Sequence, residues 1–352
     1  MEFNGWLIPA SGRQIDGVFT IVAGNRSQLQ PLHVARPDVL TDYPTAAATC
    51  PGFSFWCAIP ADLAAARVQL VSQFSTGEMV PLLDVQVSKE HGVTHGVDEG
   101  TRSVSAPDFV IIGTQRGGTT SLHAYLQAHP NIQTPAKKEL HFLTDRYERG
   151  SAWYLGQFPA LVPIGTLVGE ATPYALYHPL APRRLVEVAP NARVIVLLRN
   201  PVDRAYSHYL HERSRGHEDL SFEAAIAAEP ARLEGLEQQL AVGELMTSDM
   251  HKRASYAARG RYAQQLDRWL SVFPREQMLI VRSEDLYGDP AATTERVTDF
   301  LGLLPLKDDS FSAHNTTAGP PLLASTRVNL EREFALDNER LAERLGWGST
   351  WD

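Results

Sequence analysis

The sequence predicts an α/β fold, a phosphate-loop-like parallel sheet flanked by helices, preceded by a small β-sandwich domain. Three observations carry this. Pro107 to Leu126 reads as a buried strand, a glycine-rich turn and a helix; strand and helix signals then alternate toward the C-terminus; and the first hundred residues show short β-rich runs separated by Gly, Pro, Asn and Asp. A chain of 352 residues, 43% hydrophobic and 21% charged, can bury one large core and one small one. The expected division is a β-sandwich over 1–88, a polar linker over 89–106 and the α/β domain over 107–352.

In the first region, Val18 to Val22 and Phe53 to Ile59 have strand character, and Ala66 to Ser88 reads as two strands around a turn near Thr76 and Gly77. Its aromatics, Trp6, Tyr43, Phe53, Phe55 and Trp56, suit a small core, with glycan or partner binding as the alternative. Cys50 and Cys57 make neither a disulfide framework nor a zinc site, so two buried thiols are expected, with pairing to each other as the alternative.

In the second region, Asp108 to Ile112 is a short β-branched run, and Gly113 opens the turn. Gly117 and Gly118 let a ligand approach the backbone. Thr119, Thr120 and Ser121 begin a helix whose unpaired amides, hydroxyls and positive dipole end converge on one point, a cradle for phosphate. The glycine spacing is that of the Walker loop, but Thr119 stands where its lysine belongs. Arg116 supplies a cation instead. The strand Arg193 to Leu198 runs into Arg199, where a magnesium-dependent nucleotidase needs an aspartate. These residues describe a nucleotide held by basic side chains, without metal. A nucleotide kinase or nucleoside triphosphatase is the first alternative, and a noncatalytic binding protein the second.

Further strands are expected at Thr166 to Gly169 and Gln277 to Val281, and helices at Val202 to Arg213, Phe222 to Ala228, Tyr262 to Phe273, Pro290 to Leu301 and Leu330 to Leu345. No apolar run approaches membrane-spanning length and no leader pattern opens the chain, so the cytoplasm is the expected compartment. A net charge of −9 argues against nucleic acid as partner.

The loop GTQRGGTTSL, the segment KKELHF at Lys137 to Phe142 and RNPVDRAYSHY at Arg199 to Tyr209 resemble, in order, the sulfotransferases that use 3′-phosphoadenosine 5′-phosphosulfate, most closely their bacterial and heparan-type branch. The resemblance covers roughly residues 107 to 350. It implies that Arg116, Gly117, Gly118, Thr119, Thr120 and Ser121 hold the 5′-phosphate, and that Arg199 and Ser207 hold the 3′-phosphate. It further implies that Glu139 is the general base, with Arg116 and Lys138 meeting the sulfonate charge and no metal required. His141 is a rival base. Glu170 and Thr172, in GEATP, are expected beside the acceptor, a small molecule or glycan; Ala171 stands where heparan enzymes carry a lysine. Arg204 is left between a salt bridge, with Asp203 or Glu212, and nucleotide contact, and Arg327 between nucleotide contact and a plain surface position. HNTTAGPPLL, His314 to Leu323, falls where relatives close a loop over the 3′-phosphate.

Overall fold

The structure is a computed structural model that describes residues 101–306 and 319–351 in full and, before residue 101, the backbone of the strands alone. The side chains of the N-terminal aromatics, Cys50, Cys57 and the segment from His314 to Ala318 lie outside the described residues. Two compact units result: Met1–Val104 with Pro159–Gly165, and Ser105–Phe158 with Thr166–Asp352.

The first unit is antiparallel. Its strands are β1 (Glu2–Trp6), β2 (Ile15–Val22), β3 (Asn25–Arg26), β4 (Val34–Ala35), β5 (Pro51–Trp56), β6 (Ala65–Phe74), β7 (Met79–Ser88), β8 (Gly92–Thr94) and β9 (Thr101–Ser103). They form a three-stranded sheet, β1-β5-β4, and a five-stranded sheet, β3-β2-β6-β7-β8. The expected pair within Ala66 to Ser88 is β6 against β7. Strands β8 and β9 fall inside the stretch that composition reads as linker, and β9 pairs with a later segment, Leu161–Pro163.

The second unit is built on a five-stranded sheet. Strands β10 (Phe109–Gly113), β11 (Ile132–Gln133), β13 (Leu167–Ala171), β14 (Arg193–Leu198) and β15 (Met278–Arg282) lie in the order β11-β13-β10-β14-β15, with β12 (Leu161–Pro163) belonging to the first unit. Every pairing in it is parallel. That explains the unbroken apolar runs: β10 is buried throughout, and so is β14 after its first residue, because helices cover both faces. The helices are α1 (Thr119–Gln127), α2 (Gly150–Leu155), α3 (Ala181–Val188), α4 (Pro201–Ser214), α5 (Phe222–Leu233), α6 (Leu236–Ala241), α7 (Asp249–Arg253), α8 (Tyr262–Leu270), α9 (Ser283–Gly288), α10 (Pro290–Phe300) and α11 (Ala324–Leu345). Among the described residues, no helix is long and apolar enough to cross a membrane.

Local chemistry sets the ends that matter for the site. Asn200 caps α4, its Oδ1 accepting from Val202 N at 3.0 Å and Asp203 N at 3.3 Å, and Pro201 occupies the first helical position, where its missing N–H costs nothing. Helix α5 outruns its expected end near Ala228 by passing through Pro230, with Ser221 as its cap. Helix α11 begins at Ala324, ahead of the charged stretch expected from Leu330.

Candidate active site

The parallel order places the C-terminal ends of β10, β13 and β14 side by side, and the site is built at those ends. Gly113 is obligatory there, because a Cβ on it would stand 2.6 Å from Leu176 Cβ. The chain then turns tightly: Thr114 N donates to Leu197 O at 2.7 Å, and Gly117 N donates back to Thr114 O at 3.0 Å. Gly118, at φ 87°, is the residue before α1, which has no side-chain cap. The amides of the first helical turn therefore face the loop at the positive end of the dipole.

Arg116 adopts φ 70°, a left-handed conformation that costs a side chain about 1–2 kcal/mol. Its contacts show what it is held for. Arg116 Nε donates to Ser207 Oγ on α4 at 3.0 Å, and Arg199 Nη1 donates to Arg116 O at 2.9 Å. Three residues separated by up to 91 positions thus meet at one loop. Burial, and next the Arg199 charge, lowers the Arg116 pKa. Two guanidinium groups held together beside a helix N-terminus are relieved by an anion.

The loop opens into a cavity of about 930 Å³. Arg116, Gly118, Thr119, Thr120, Ser121, Arg199 and Ser207 line it, and Glu139 and His141 line the same cavity. Gly117 does not line it; it is buried in the loop, its carbonyl accepting from Ser283 Oγ at 2.7 Å.

Glu139 and His141 occupy a turn with two side-chain-bearing residues at positive φ, 62° and 55°. Glu139 N donates to Ala171 O at 3.1 Å, which ties the turn to the end of β13. The Glu139 carboxylate accepts from Lys138 Nζ at 2.9 Å and lies 3.6 Å from His141 Nε2. Burial pushes its pKa up, but His141 and Lys138 outweigh burial and hold it at about 2. Asp145 Oδ2 lies 3.7 Å from His141 Nδ1 and pairs with Lys252 Nζ.

Lys138 ties its ammonium to the Glu139 carboxylate beside it. Two sequence-based expectations are corrected here. Glu170 is 1% exposed and Thr172 is 0% exposed, so neither borders an acceptor; being at the end of β13, they are covered by the Glu139 turn and by Tyr154. Arg204 forms no pair with Asp203 or Glu212: it is fully buried and donates from Nη2 to Tyr256 O, whereas Asp203 pairs with Arg327.

Other cavity residues went unnoticed in the sequence. His211 and Arg215 line the cavity from α4 and the residue after it, following Ser207 at intervals of four, a helical spacing that could have revealed them. Lys252 and Arg253 come from the five-residue α7, and Tyr287 from α9, where its ring lies 5.9 Å from the Arg199 guanidinium carbon. Nothing in their local sequence marks them.

Fold and site together define an anion-gripping α/β domain on a phosphate-loop scaffold, with a carboxylate in the same cavity. Residues 106–317 match the sulfotransferase domain family, and the chain belongs to that family. Over 217 residues it is 36% identical to heparan sulfate glucosamine 3-O-sulfotransferase 6 of Mus musculus, a match covering 62% of this chain and 58% of that protein. It is also 36% identical over 211 residues to the human bifunctional heparan sulfate N-deacetylase/N-sulfotransferase 3, covering 56% of this chain and 22% of that protein. Among solved structures, a sulfotransferase from Alicyclobacillus acidocaldarius aligns with a TM-score of 0.55 at 30% identity, over 69% of this chain and 97% of that one. The chain thus spans little more than half of the mouse relative and about a fifth of the human one.

Proposed function

We propose that the protein moves a sulfuryl group from 3′-phosphoadenosine 5′-phosphosulfate to a hydroxyl or amine of a carbohydrate, glycolipid or glycosylated metabolite, with Glu139 as general base. One observation carries the reading: Arg116, Arg199 and Ser207 converge on the α1 N-terminus in a cavity that also holds Glu139. The heparan sulfate enzymes among its relatives support a carbohydrate acceptor.

In this reading the loop and α1 amides hold the 5′-phosphate, and Arg199 with Ser207 holds the 3′-phosphate. The acceptor oxygen or nitrogen bonds to sulfur as the bond from sulfur to the bridging phosphate oxygen breaks. Arg116 meets the charge that gathers on the leaving phosphate. The acceptor proton passes to Glu139. Because Lys138 and His141 hold that carboxylate ionised, with a pKa of about 2, it is a weak base that is always ready. A weak base suffices where the acceptor proton turns strongly acidic as the bond to sulfur forms.

Calorimetric titration without magnesium tests the donor, comparing 3′-phosphoadenosine 5′-phosphate with ADP. Clear preference for the former is expected, because the Arg199 and Ser207 site has no ligand in ADP. Equal binding, or binding only of ATP with Mg²⁺, overturns the reading in favour of a kinase.

A further inference from the structure

Glu170 is the buried acid that this chemistry leaves unused. It stands near the end of β13 with both oxygens engaged: Tyr154 OH donates to Oε1 at 3.2 Å, and Thr172 Oγ1 donates to Oε2 at 2.7 Å. The same Thr172 oxygen accepts from His141 N at 3.4 Å. A hydroxyl that gives its one proton to a carboxylate keeps its lone pairs for an incoming N–H. The chain of bonds therefore runs from Glu170 through Thr172 to the backbone of the turn that carries Glu139 and His141.

That turn needs holding. Positive φ at two residues that are not glycine persists only where the surroundings impose it. Glu139 N to Ala171 O fixes one end, and the His141 carbonyl, accepting from Asp145 N at 2.9 Å and Arg146 N at 3.0 Å, fixes the other. Thr172 fixes the middle.

We infer that Glu170 is a positioning residue for the proposed transfer: through Thr172 it holds the Glu139–His141 turn in its left-handed form, and it does so best when ionised. Once protonated, Glu170 can donate to Thr172 Oγ1 instead of accepting, which reverses that bond, takes one of the oxygen's two lone pairs and makes the hydroxyl proton turn away, so the geometry in which the oxygen accepts from His141 N–H changes. The charged and titratable groups facing Glu170 are Tyr154 from α2, Glu139 and Lys138 from the turn, and through Thr172 the His141 backbone. Burial, helped by the Glu139 charge, raises the Glu170 pKa to about 7 against the two hydroxyl hydrogen bonds and the Lys138 charge. Reversal of the bond thus falls within the working pH range, with the holding form present above about 7 and lost as pH falls.

This inference rests on the sulfotransferase reading for its activity readout, so the experiment carries a second readout that does not. For wild type, Glu170→Gln, Thr172→Val and Thr172→Ser, one measures kcat against pH, affinity for 3′-phosphoadenosine 5′-phosphate, and the amide NMR shifts of Glu139, His141 and Thr172 against pH. Wild-type kcat should rise through pH of about 7. Glu170→Gln should lower kcat about 10- to 100-fold, flatten that rise and leave nucleotide affinity unchanged. Thr172→Val should also lose kcat, and Thr172→Ser should recover it. A folded Glu170→Gln with the wild-type profile overturns the inference; if that variant does not fold, undiminished kcat in Thr172→Val does so. Should the wild type transfer no sulfuryl group to any acceptor, the sulfotransferase reading fails and the amide shifts decide. An inflection near 7 that vanishes in Glu170→Gln upholds the positioning role, and one that persists overturns it.

Discussion

The donor side of the cavity and the Glu139 side are held in place by different means. On the donor side, one loop and one helix do most of the work: Gly113, Arg116 and Gly118 shape the turn, and the α4 face brings Ser207 to it. On the other side, Glu139 depends on Lys138 and His141 for its charge state and on Ala171 and Thr172 for its backbone. In the proposed reaction, backbone amides and guanidinium groups meet the constant ligand, phosphate. The Glu139 turn, braced from the end of β13, is in that reading the part that can change with the acceptor.

The sharpest way to separate the two sides is Glu139→Gln. It should lower turnover by about 10²- to 10⁴-fold while leaving nucleotide affinity nearly intact, measured by steady-state kinetics and calorimetry on one preparation. Unchanged turnover would take Glu139 out of the mechanism. Next in size is Arg199→Ala, which should cost about 2–5 kcal/mol of binding to 3′-phosphoadenosine 5′-phosphate. Arg199 also holds the Arg116 carbonyl, so ADP should lose something too, but less. Equal losses for both nucleotides would mean that Arg199 only braces the loop.

This contrast also decides what could be read before the structure. The strand, loop and helix of the proposed phosphate cradle were legible because they are contiguous, succeeding one another from 109 to 121, while Ser207 was paired with Arg199 only through the family resemblance. The parallel sheet was legible because strands buried on both faces have no polar alternation. Glu139 was visible only through family resemblance, since a Lys-Lys-Glu stretch is otherwise a solvated loop. The burial of Glu170 and Thr172 was hidden, as it depends on Tyr154 and on a turn more than thirty residues away. Lys252 was hidden for the same reason: its partner Asp145 is 107 positions distant. Helix α5 was cut short because Pro230 signals a break that the packed helix overrides.

Two smaller changes sharpen the donor side alone. Ser207→Ala removes the acceptor of the Arg116 Nε bond, a hydrogen bond to a charged group worth about 1.5–3 kcal/mol, and should weaken nucleotide binding without altering the acceptor KM. A matching rise in acceptor KM would show that the two sides are coupled through Arg116.

Gly118→Ala should have the smallest effect, because it tests only the shape of the turn. At φ 87° an added Cβ brings about 1–2 kcal/mol of left-handed strain. It would also stand 3.1 Å from Leu286 Cδ2 and 3.1 Å from Tyr287 Cε1, contacts tight enough that α9 must give slightly. Both costs fall on the loop, so the midpoint of urea unfolding and the nucleotide affinity should drop together while the Glu139 side is undisturbed. If affinity falls with no loss of stability, the amides and not the turn are at fault. If kcat falls as Glu139→Gln makes it fall, with affinity unchanged, the division of labour between the two sides is wrong.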